Sequence, residues 1–164
     1  MGVSGCGKST LGRRLAAALV IDYLDGDELH PPRNVQRMAE GIALTDADRR
    51  DWLAALAARL GEARAAQRGL VVGCSALKRA YRDRLREGAP DLTLVHLHGA
   101  PALLAERMAT RSGHYMPASL LQSQLDTLEP PQADERAITL DIAWPPERQV
   151  AVALDALREA TARP

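Results

Sequence analysis

The feature that most constrains this chain is a short glycine-rich segment followed by a helical pattern. The segment matches GxxxxGK[ST] and consists of Gly2, Val3, Ser4, Gly5, Cys6, Gly7, Lys8 and Ser9, with Thr10 directly behind it. A phosphate chain needs several backbone N–H donors aimed at one point, and glycines allow the backbone to curl that tightly. The N-terminus of the following helix adds its positive dipole end. The pattern predicts a phosphate loop at residues 2–10; the alternative is a chance glycine-rich turn.

Within this loop, two side chains have a predicted chemical role. Lys8 would supply a positive charge to the β- and γ-phosphates of ATP, and the Ser9 hydroxyl would be a ligand of Mg²⁺. Arginine outnumbers lysine 19 to 2 in this chain, so a lysine retained at this position supports the assignment. Cys6 is interpreted as a spacer. We therefore predict ATP and Mg²⁺ as cofactors.

Composition excludes several other classes of protein. A length of 164 residues fits one domain, 1–164, and the 21 basic and 21 acidic residues cancel. No global charge attracts nucleic acid or an anionic membrane, and no apolar run approaches the ~20 residues that span a bilayer. We expect a cytoplasmic protein that binds neither. Cys6 and Cys74 form no metal-ligand or disulfide pattern.

Short apolar runs alternate with longer segments of helical periodicity, which is typical of α/β proteins with a parallel sheet. Thr45 or Asp46 is expected to cap a long amphipathic helix, and residues 31–45 are predicted to be irregular. The other predicted helices lie at 8–19, 78–86, 101–111, 117–128 and 146–160, and the predicted strands at 20–24, 70–74, 92–97 and 137–142. The predicted fold is a P-loop kinase with three layers, α/β/α, and a mostly parallel sheet.

One expected element is missing from this order. In such a fold an apolar strand of about five residues feeds the phosphate loop from the sheet interior, but here the loop motif starts at Gly2. We expect the first, central strand to be truncated and Met1 to be an internal residue of a longer protein. Residues 2–7 would then be held only from the helix side, which predicts a poorly ordered loop.

Carboxylates near the phosphate loop indicate which P-loop enzyme this is. The GTPase signature NKxD is absent, and no apolar strand ends in the DE pair of motor and transporter ATPases, which favours a small-molecule kinase. A kinase needs a carboxylate that accepts the proton of the attacking hydroxyl. Asp25 and Asp27 follow the second strand, and residues two apart on an extended segment face the same way. The alternative is a surface turn or a helix cap.

Longer segments resemble one family. MGVSGCGKST, LDGDELHPPRNVQRMAEGIALTDADRRDWL, CSALKRAYRDRLR and LEPPQADERAITLDI are similar, in order and spacing, to the gluconokinase family of P-loop sugar-acid kinases. The resemblance implies ATP-dependent phosphorylation of D-gluconate to 6-phospho-D-gluconate, a shikimate-kinase-like core, a mobile lid near 107–128 and a homodimer. It also implies that Asp27 binds the acceptor and is the candidate base, that Asp25 lies in the magnesium shell, and that His30 and Arg33 line the substrate pocket.

A carboxylate substrate also needs cations. The candidates are Arg49 together with Lys78 and Arg82, which are four apart and so expected on one helix face; the alternative is a solvated basic surface. Arg107 and Arg111 are also four apart, in the segment that resembles the lid. They are predicted to stabilise charge on the transferred phosphoryl group, or else to be ordinary surface charges.

Two other functions stay open from the sequence. One is a related kinase acting on shikimate, a nucleoside or another sugar acid. The other is a nucleotide-binding or dimerising module without catalysis, in which the side chains are present but the strand that anchors the loop is not.

Overall fold

The computed structural model describes residues 1–110 and 120–162 as alternating helices and strands. The helices are α1 (Lys8–Leu19), α2 (Pro32–Ala39), α3 (Asp46–Ala65), α4 (Arg79–Arg86), α5 (Pro101–Thr110), α6 (Leu120–Thr127) and α7 (Pro146–Ala162). The strands are β1 (Asp22–Asp25), β2 (Leu70–Gly73), β3 (Val95–His98) and β4 (Ile138–Asp141), and short 3-10 turns cover Gly26–Leu29 and Ala133–Glu135.

Most predicted elements are present, and two differ for identifiable reasons. The first strand starts at Asp22 rather than at residue 20 because Val20 adopts a left-handed conformation (φ 56°) that ends α1. Helix α2 was not predicted, because the prolines before it suggested a broken segment. Pro32 is instead the first residue of that helix, where its missing N–H costs nothing. Thr45 caps α3 in a reciprocal capping box with Asp48, as the pattern indicated.

The four strands form two parallel pairs, β1 with β2 and β3 with β4. Met1 and Gly2 lie between these pairs. The Met1 amino group donates to the Val95 carbonyl, and the Met1 carbonyl accepts from the Leu97 N–H at 3.0 Å, in the pattern of a parallel ladder. On the other side the Gly2 N–H donates to the Ser75 carbonyl at 3.1 Å. Met1 and Gly2 therefore occupy the place of a central strand that would join the two pairs.

These contacts correct the expectation that the phosphate loop is held only from its helix side. Val3 and Cys6 are buried in the core. Gly2 approaches β3 so closely that a Cβ there would lie 2.6 Å from the Leu97 carbonyl oxygen. The loop is therefore packed against strands as well as against α1.

Helices cover both faces of the strands, which gives the three-layer arrangement. Along β2, Val71 packs against one core cluster while Leu70 and Val72 pack against the other, as alternation on a strand requires. The first cluster is formed mainly by α1, α5, α6 and α7, and the second by α3 and α4. No helix in the described part of the chain is long and apolar enough to cross a membrane.

Candidate nucleotide and acceptor site

The phosphate loop borders an open cavity of about 280 Å³ at the carboxyl ends of β1 and β2. Its lining consists of Ser4, Gly5, Gly7, Lys8, Ser9, Thr10, Asp25, Asp27 and Arg107. Gly7 has φ 95° and immediately precedes α1, a conformation that an L side chain rarely adopts. The loop and the first turn of α1 therefore present backbone N–H groups to the same space as two carboxylates and an arginine.

Lys8 is held within the loop that it serves. Its Nζ donates to the carbonyl oxygens of Gly2 and Val3 at 3.1 Å and 3.0 Å. Since both acceptors belong to the loop itself, the ammonium group stays at the cavity edge instead of extending into solvent. This position suits a cation that contacts a bound phosphate chain.

Ser9, Asp25 and Tyr23 form a hydrogen-bonded group beside the loop. The Ser9 hydroxyl donates to Asp25 Oδ2 at 2.9 Å, and the Tyr23 hydroxyl donates to the same oxygen at 3.2 Å. Burial raises the pKa of Tyr23, against the hydrogen bond with Ser9, so the phenol keeps its proton. Asp25 Oδ1 also accepts from the Asp27 N–H at 3.3 Å, so Asp25 caps the 3-10 turn as well as reaching the phosphate loop.

Asp27 lines the cavity from this 3-10 turn. The backbone therefore brings Asp25 and Asp27 to one cavity by turning, and not by the strand alternation that was expected. Gly26 between them is buried, and a Cβ there would lie 2.6 Å from the Gly73 carbonyl oxygen. Its own carbonyl accepts from Trp52 Nε1 at 2.7 Å. Strand β2 and helix α3 thus fix the turn that carries both carboxylates.

His30 lies flat against Trp52, with ring centroids 4.1 Å apart and planes inclined by 13°. Burial lowers the pKa of His30 to about 4, against the attraction of Asp27 and assisted by repulsion from Arg49. His30 is therefore a half-buried imidazole that is neutral near pH 7, and Asp27 and Arg49 are among the charges that act on it.

Lys78 belongs to a neighbouring charged group. Its Nζ donates to both oxygens of Asp46 at 2.8 Å and 2.9 Å, and Tyr81 also donates to that carboxylate. The hydrogen bond with Asp46 raises the pKa of Lys78. The Arg49 guanidinium and the Lys78 ammonium each lie 5.7 Å from the centre of the Tyr81 ring.

The prediction that Arg82 faces the substrate is wrong. Its side chain has no exposed surface and makes a two-point ion pair with Glu135 at 2.6 Å and 2.7 Å. Its remaining terminal nitrogen donates to the carbonyls of Ala76, Leu77 and Glu129. Lys78 precedes α4 and Arg82 points inward from it, so the two do not share a functional face.

The other predicted arginines differ in position. Arg33 is exposed on α2 and lies 3.7 Å from Asp51, outside the residues that line the cavity. Arg107 lines the cavity and donates to the Ile142 carbonyl at 2.8 Å, directly after β4. Arg111 lies outside the described residues, as do residues 112–119 of the segment expected to form the lid.

Sequence reasoning missed three residues around the loop. Tyr23 could have been found, since it is two positions before Asp25 on the same strand face. Trp52 is buried in the core from α3 and also holds the acidic turn through its hydrogen bond to the Gly26 carbonyl. Gln124, on α6, is buried and accepts from the Ser4 N–H at 2.7 Å. Its signal in the sequence is a polar residue inside an apolar helical stripe.

The donor set of the loop fits a nucleotide-bound magnesium ion. The Ser9 hydroxyl and the Asp25 carboxylate offer the oxygen ligands that Mg²⁺ prefers, and this ion is commonly bound by one or two protein groups plus substrate phosphates. Among residues 1–110 and 120–162, no group of three or more His, Cys, Asp or Glu side chains could hold a metal alone.

A phosphate loop at the start of a helix, on parallel strands between helical layers, defines a P-loop kinase fold. A family model described as an AAA domain matches residues 1–131. A gluconokinase of Gluconobacter oxydans is 50% identical over 138 residues, 84% of this chain and 78% of that protein. The solved structure of a gluconokinase from Sinorhizobium meliloti is 52% identical, with a TM-score of 0.85 over 97% of this chain and 89% of that one. An unliganded sugar kinase from Janibacter is 46% identical, with a TM-score of 0.93 over 96% and 91%. The chain belongs to the gluconokinase family.

Proposed function

We propose that this protein transfers the γ-phosphoryl group of ATP to the 6-hydroxyl of D-gluconate and so forms 6-phospho-D-gluconate. The observation that carries the proposal is the position of Asp27, a carboxylate in the same cavity as Lys8 and the phosphate loop. A sugar hydroxyl bound at Asp27 would face the terminal phosphate held by the loop. Family membership supports gluconate as the acceptor.

In this mechanism each group has one task. Asp27 accepts the proton of the attacking hydroxyl as the new P–O bond forms, while the bond between the γ-phosphorus and the β–γ bridging oxygen breaks and ADP leaves. Lys8 and Arg107 offset the charge on the phosphate oxygens, and the loop N–H groups orient them. Bound Mg²⁺, held by Ser9 and by Asp25 directly or through water, would supply further charge neutralisation. Arg111 is proposed to act with Arg107.

On the acceptor side, we assign binding of the gluconate carboxylate and hydroxyls to a mixed polar surface. Arg49 offers a cation whose charge acts on the neutral His30. Lys78 offers a second cation, since its ammonium group and the Arg49 guanidinium both lie near the Tyr81 ring. Arg33 is a weaker candidate because it is exposed and turned toward Asp51. Arg82 is left out because of its buried ion pair with Glu135.

The test is ATP-dependent phosphorylation measured with D-gluconate, shikimate, a nucleoside and other sugar acids, for the wild-type chain and for Asp27→Asn. We expect turnover with gluconate above all other acceptors. Asp27→Asn should lower kcat by about 10²–10⁴-fold while leaving nucleotide binding within about twofold, since proton acceptance is lost but the loop is intact. Turnover with another acceptor alone would overturn the substrate, and nucleotide binding without any turnover would indicate a binding module.

The remaining proposals concern the setting of the reaction. A Mg²⁺ requirement is supported by the Ser9–Asp25 pair, and chelation should abolish turnover until Mg²⁺ is restored. Homodimer formation is carried over from the family resemblance, and a cytoplasmic location from the balanced charge and the lack of a long apolar run in the sequence. Light scattering after size-exclusion chromatography tests the first, and cell fractionation tests the second.

A further inference from the structure

Helix α5 and helix α6 both contact the first half of the phosphate loop. From α5, Met108 Cγ and the Leu104 carbonyl oxygen would lie 3.0 Å and 3.2 Å from a Cβ placed on Gly5. From α6, Gln124 Oε1 accepts the hydrogen bond of the Ser4 N–H at 2.7 Å. Consecutive loop residues are thus fixed by a packing contact and by a directed hydrogen bond.

The hydrogen bond from Ser4 lies in an apolar environment. Ser4 is 6% exposed and Gln124 is 8% exposed, and the buried residues nearest to Gln124 along α6 are Leu120 and Leu121. A buried N–H without an acceptor carries the full free-energy cost of its desolvation. The loop conformation that buries the Ser4 N–H is therefore favourable only while the Gln124 oxygen accepts from it.

The loop needs such an anchor because it divides into two functional halves. An N–H that donates to a side chain oxygen is not directed at a phosphate, so the Ser4 amide fixes the loop instead of binding the ligand. Ser4 and Gly5 also border the cavity, but the second half is the less crowded one: a Cβ on Gly7 would meet nothing within 4 Å, and residues 7–10 all line the cavity. The orientation of those N–H groups depends on where the first half is held.

We propose that Gln124 is a positioning residue for the nucleotide: its carboxamide oxygen holds the Ser4 amide and thereby sets the phosphate loop in its binding conformation. The inference rests on the proposed kinase function only in naming the ligand as a nucleoside triphosphate. Gln124 acts through the loop and is not assigned a contact with the reacting atoms.

The test compares Gln124→Leu with Gln122→Leu in the full chain. Leucine is similar in size but has no acceptor, and Gln122 is an exposed residue of the same helix whose amide bonds to Asp126. Direct titration with ATP and Mg²⁺, without any acceptor substrate, should give a Kd about tenfold higher for Gln124→Leu and unchanged for Gln122→Leu. Hydrogen exchange of the Ser4 amide should be fast in Gln124→Leu and slow in both the wild-type protein and Gln122→Leu.

Kinetics and a second variant separate positioning from a general loss of structure. The KM for ATP should rise about tenfold in Gln124→Leu, whereas the KM for gluconate should change less than twofold. Gln124→Glu keeps an oxygen acceptor at the same length and should retain slow Ser4 exchange and an ATP Kd nearer to wild type than that of Gln124→Leu. An unchanged ATP Kd in Gln124→Leu would overturn the proposal. If Gln124→Leu does not fold, fast Ser4 exchange in a folded Gln124→Glu would overturn it.

Because the titration needs no acceptor, it still decides the role of Gln124 if gluconate is not the substrate. A protein that binds ATP with the expected dependence on Gln124, but phosphorylates no acceptor, would support this inference while contradicting the proposed function.

Discussion

At the scale of single residues, the carboxylate of Asp25 is held by two hydroxyl groups that differ in origin. Ser9 comes from the phosphate loop, whereas Tyr23 comes from the same strand as Asp25 and contacts the same oxygen. The Tyr23 side chain also lies close to two glycines: a Cβ on Gly12 would lie 2.5 Å from a ring carbon, and a Cβ on Gly73 would lie 2.6 Å from the hydroxyl oxygen. Glycines at these positions leave room for the tyrosine that orients Asp25.

We therefore expect Tyr23→Phe to weaken magnesium binding without disturbing the fold. The ring is retained, but one hydrogen bond to Asp25 Oδ2 is lost, and residues that orient a metal ligand typically contribute about 10–100-fold in affinity. The Mg²⁺ concentration for half-maximal turnover should rise about tenfold. Tyr81→Phe is the matched control, because it removes a hydroxyl from Asp46 and not from Asp25. Equal magnesium curves for Tyr23→Phe and wild type would contradict the role of Tyr23.

A second residue-scale prediction concerns His30. Its pKa is about 4 in the folded chain and about 6.5 when unfolded, so between these values only the unfolded state binds the proton. Its contribution to stability is complete above pH 6.5 and declines as the pH falls toward 4. With Trp144 replaced by Phe, emission from Trp52 should stay constant from pH 8 to about pH 5 and change with a midpoint near 4. His30→Gln should abolish that step, and a midpoint near 6.5 would show an exposed imidazole.

The chemistry of the loop was predictable from sequence, whereas its supports were not. GxxxxGK[ST] specifies Lys8 and Ser9 because phosphate binding depends on local backbone geometry. Gln124 lies 120 positions from Ser4 along the chain, and no local pattern pairs them. Arg82 was misassigned for the same reason: charge and spacing identify a cation, but its partner Glu135 becomes apparent only in the fold.

At the scale of elements, α4 is fastened to the segment before β4. Arg82 pairs with Glu135 in the interior, Arg79 pairs with Asp134 at 2.8 Å, and Glu129 Oε2 accepts from the Arg79 N–H at 2.6 Å. Two sequence segments that resemble the gluconokinase family, CSALKRAYRDRLR and LEPPQADERAITLDI, therefore bind each other.

Breaking the inner pair of this interface should be costly. Glu135→Ala leaves the Arg82 guanidinium buried without its partner, and we expect the free energy of unfolding to fall by about 3–5 kcal/mol. Asp155→Ala, which breaks the exposed pair with Arg158, should change it by less than about 0.5 kcal/mol. Urea denaturation measures both. A double variant, Arg82→Met with Glu135→Leu, should recover only part of the loss: it leaves no charge buried in place of this pair, but the carbonyls of Ala76, Leu77 and Glu129 lose their donor.

The same pair predicts an acid dependence of stability. Hydrogen bonding to Arg82 lowers the pKa of Glu135 to about 2, below its unfolded value of about 4.3. Since the unfolded state binds the proton first, this stabilisation is complete above about pH 4.3 and is lost as the pH falls through 2. Urea midpoints measured from pH 6 to pH 2.5 should fall less steeply in Glu135→Gln than in wild type. Parallel curves would contradict the assignment.

At the scale of the whole molecule, the order of helices and strands followed from hydrophobic periodicity and capping. The α3 helix and the parallel strands were predicted because local patterns determine them. The contacts of Met1 with β3 and of Gly2 with Ser75, just after β2, were not predictable, because they depend on which strands come together. Helix α2 was missed since a proline suits both a break and a first helical turn, and the choice depends on packing around Asn34 and Met38, both buried.

The position of Met1 and Gly2 between the two strand pairs leads to the last prediction. The Met1 amino group is buried and its pKa is lowered to about 6, chiefly because burial disfavours the charged form. Five β-branched apolar residues added before Met1 would replace the ammonium by an amide, pair with β2 and β3, and fill core. Each buried aliphatic side chain contributes about 1.5–3 kcal/mol, and the lost conformational entropy of the added residues offsets much of this. We expect the free energy of unfolding to rise by about 3 kcal/mol and Tm by about 10 °C.

A Gly-Ser extension of equal length separates the two causes of this gain. It also removes the buried ammonium, but it supplies neither apolar side chains nor strand propensity, so its Tm should rise by less than about 3 °C. If the phosphate loop is steadied by a continuous strand, the apolar extension should also lower the Kd for ATP, whereas the Gly-Ser extension should not. Equal gains from both extensions would mean that the buried charge, and not the gap between the strand pairs, limits the stability of this sheet.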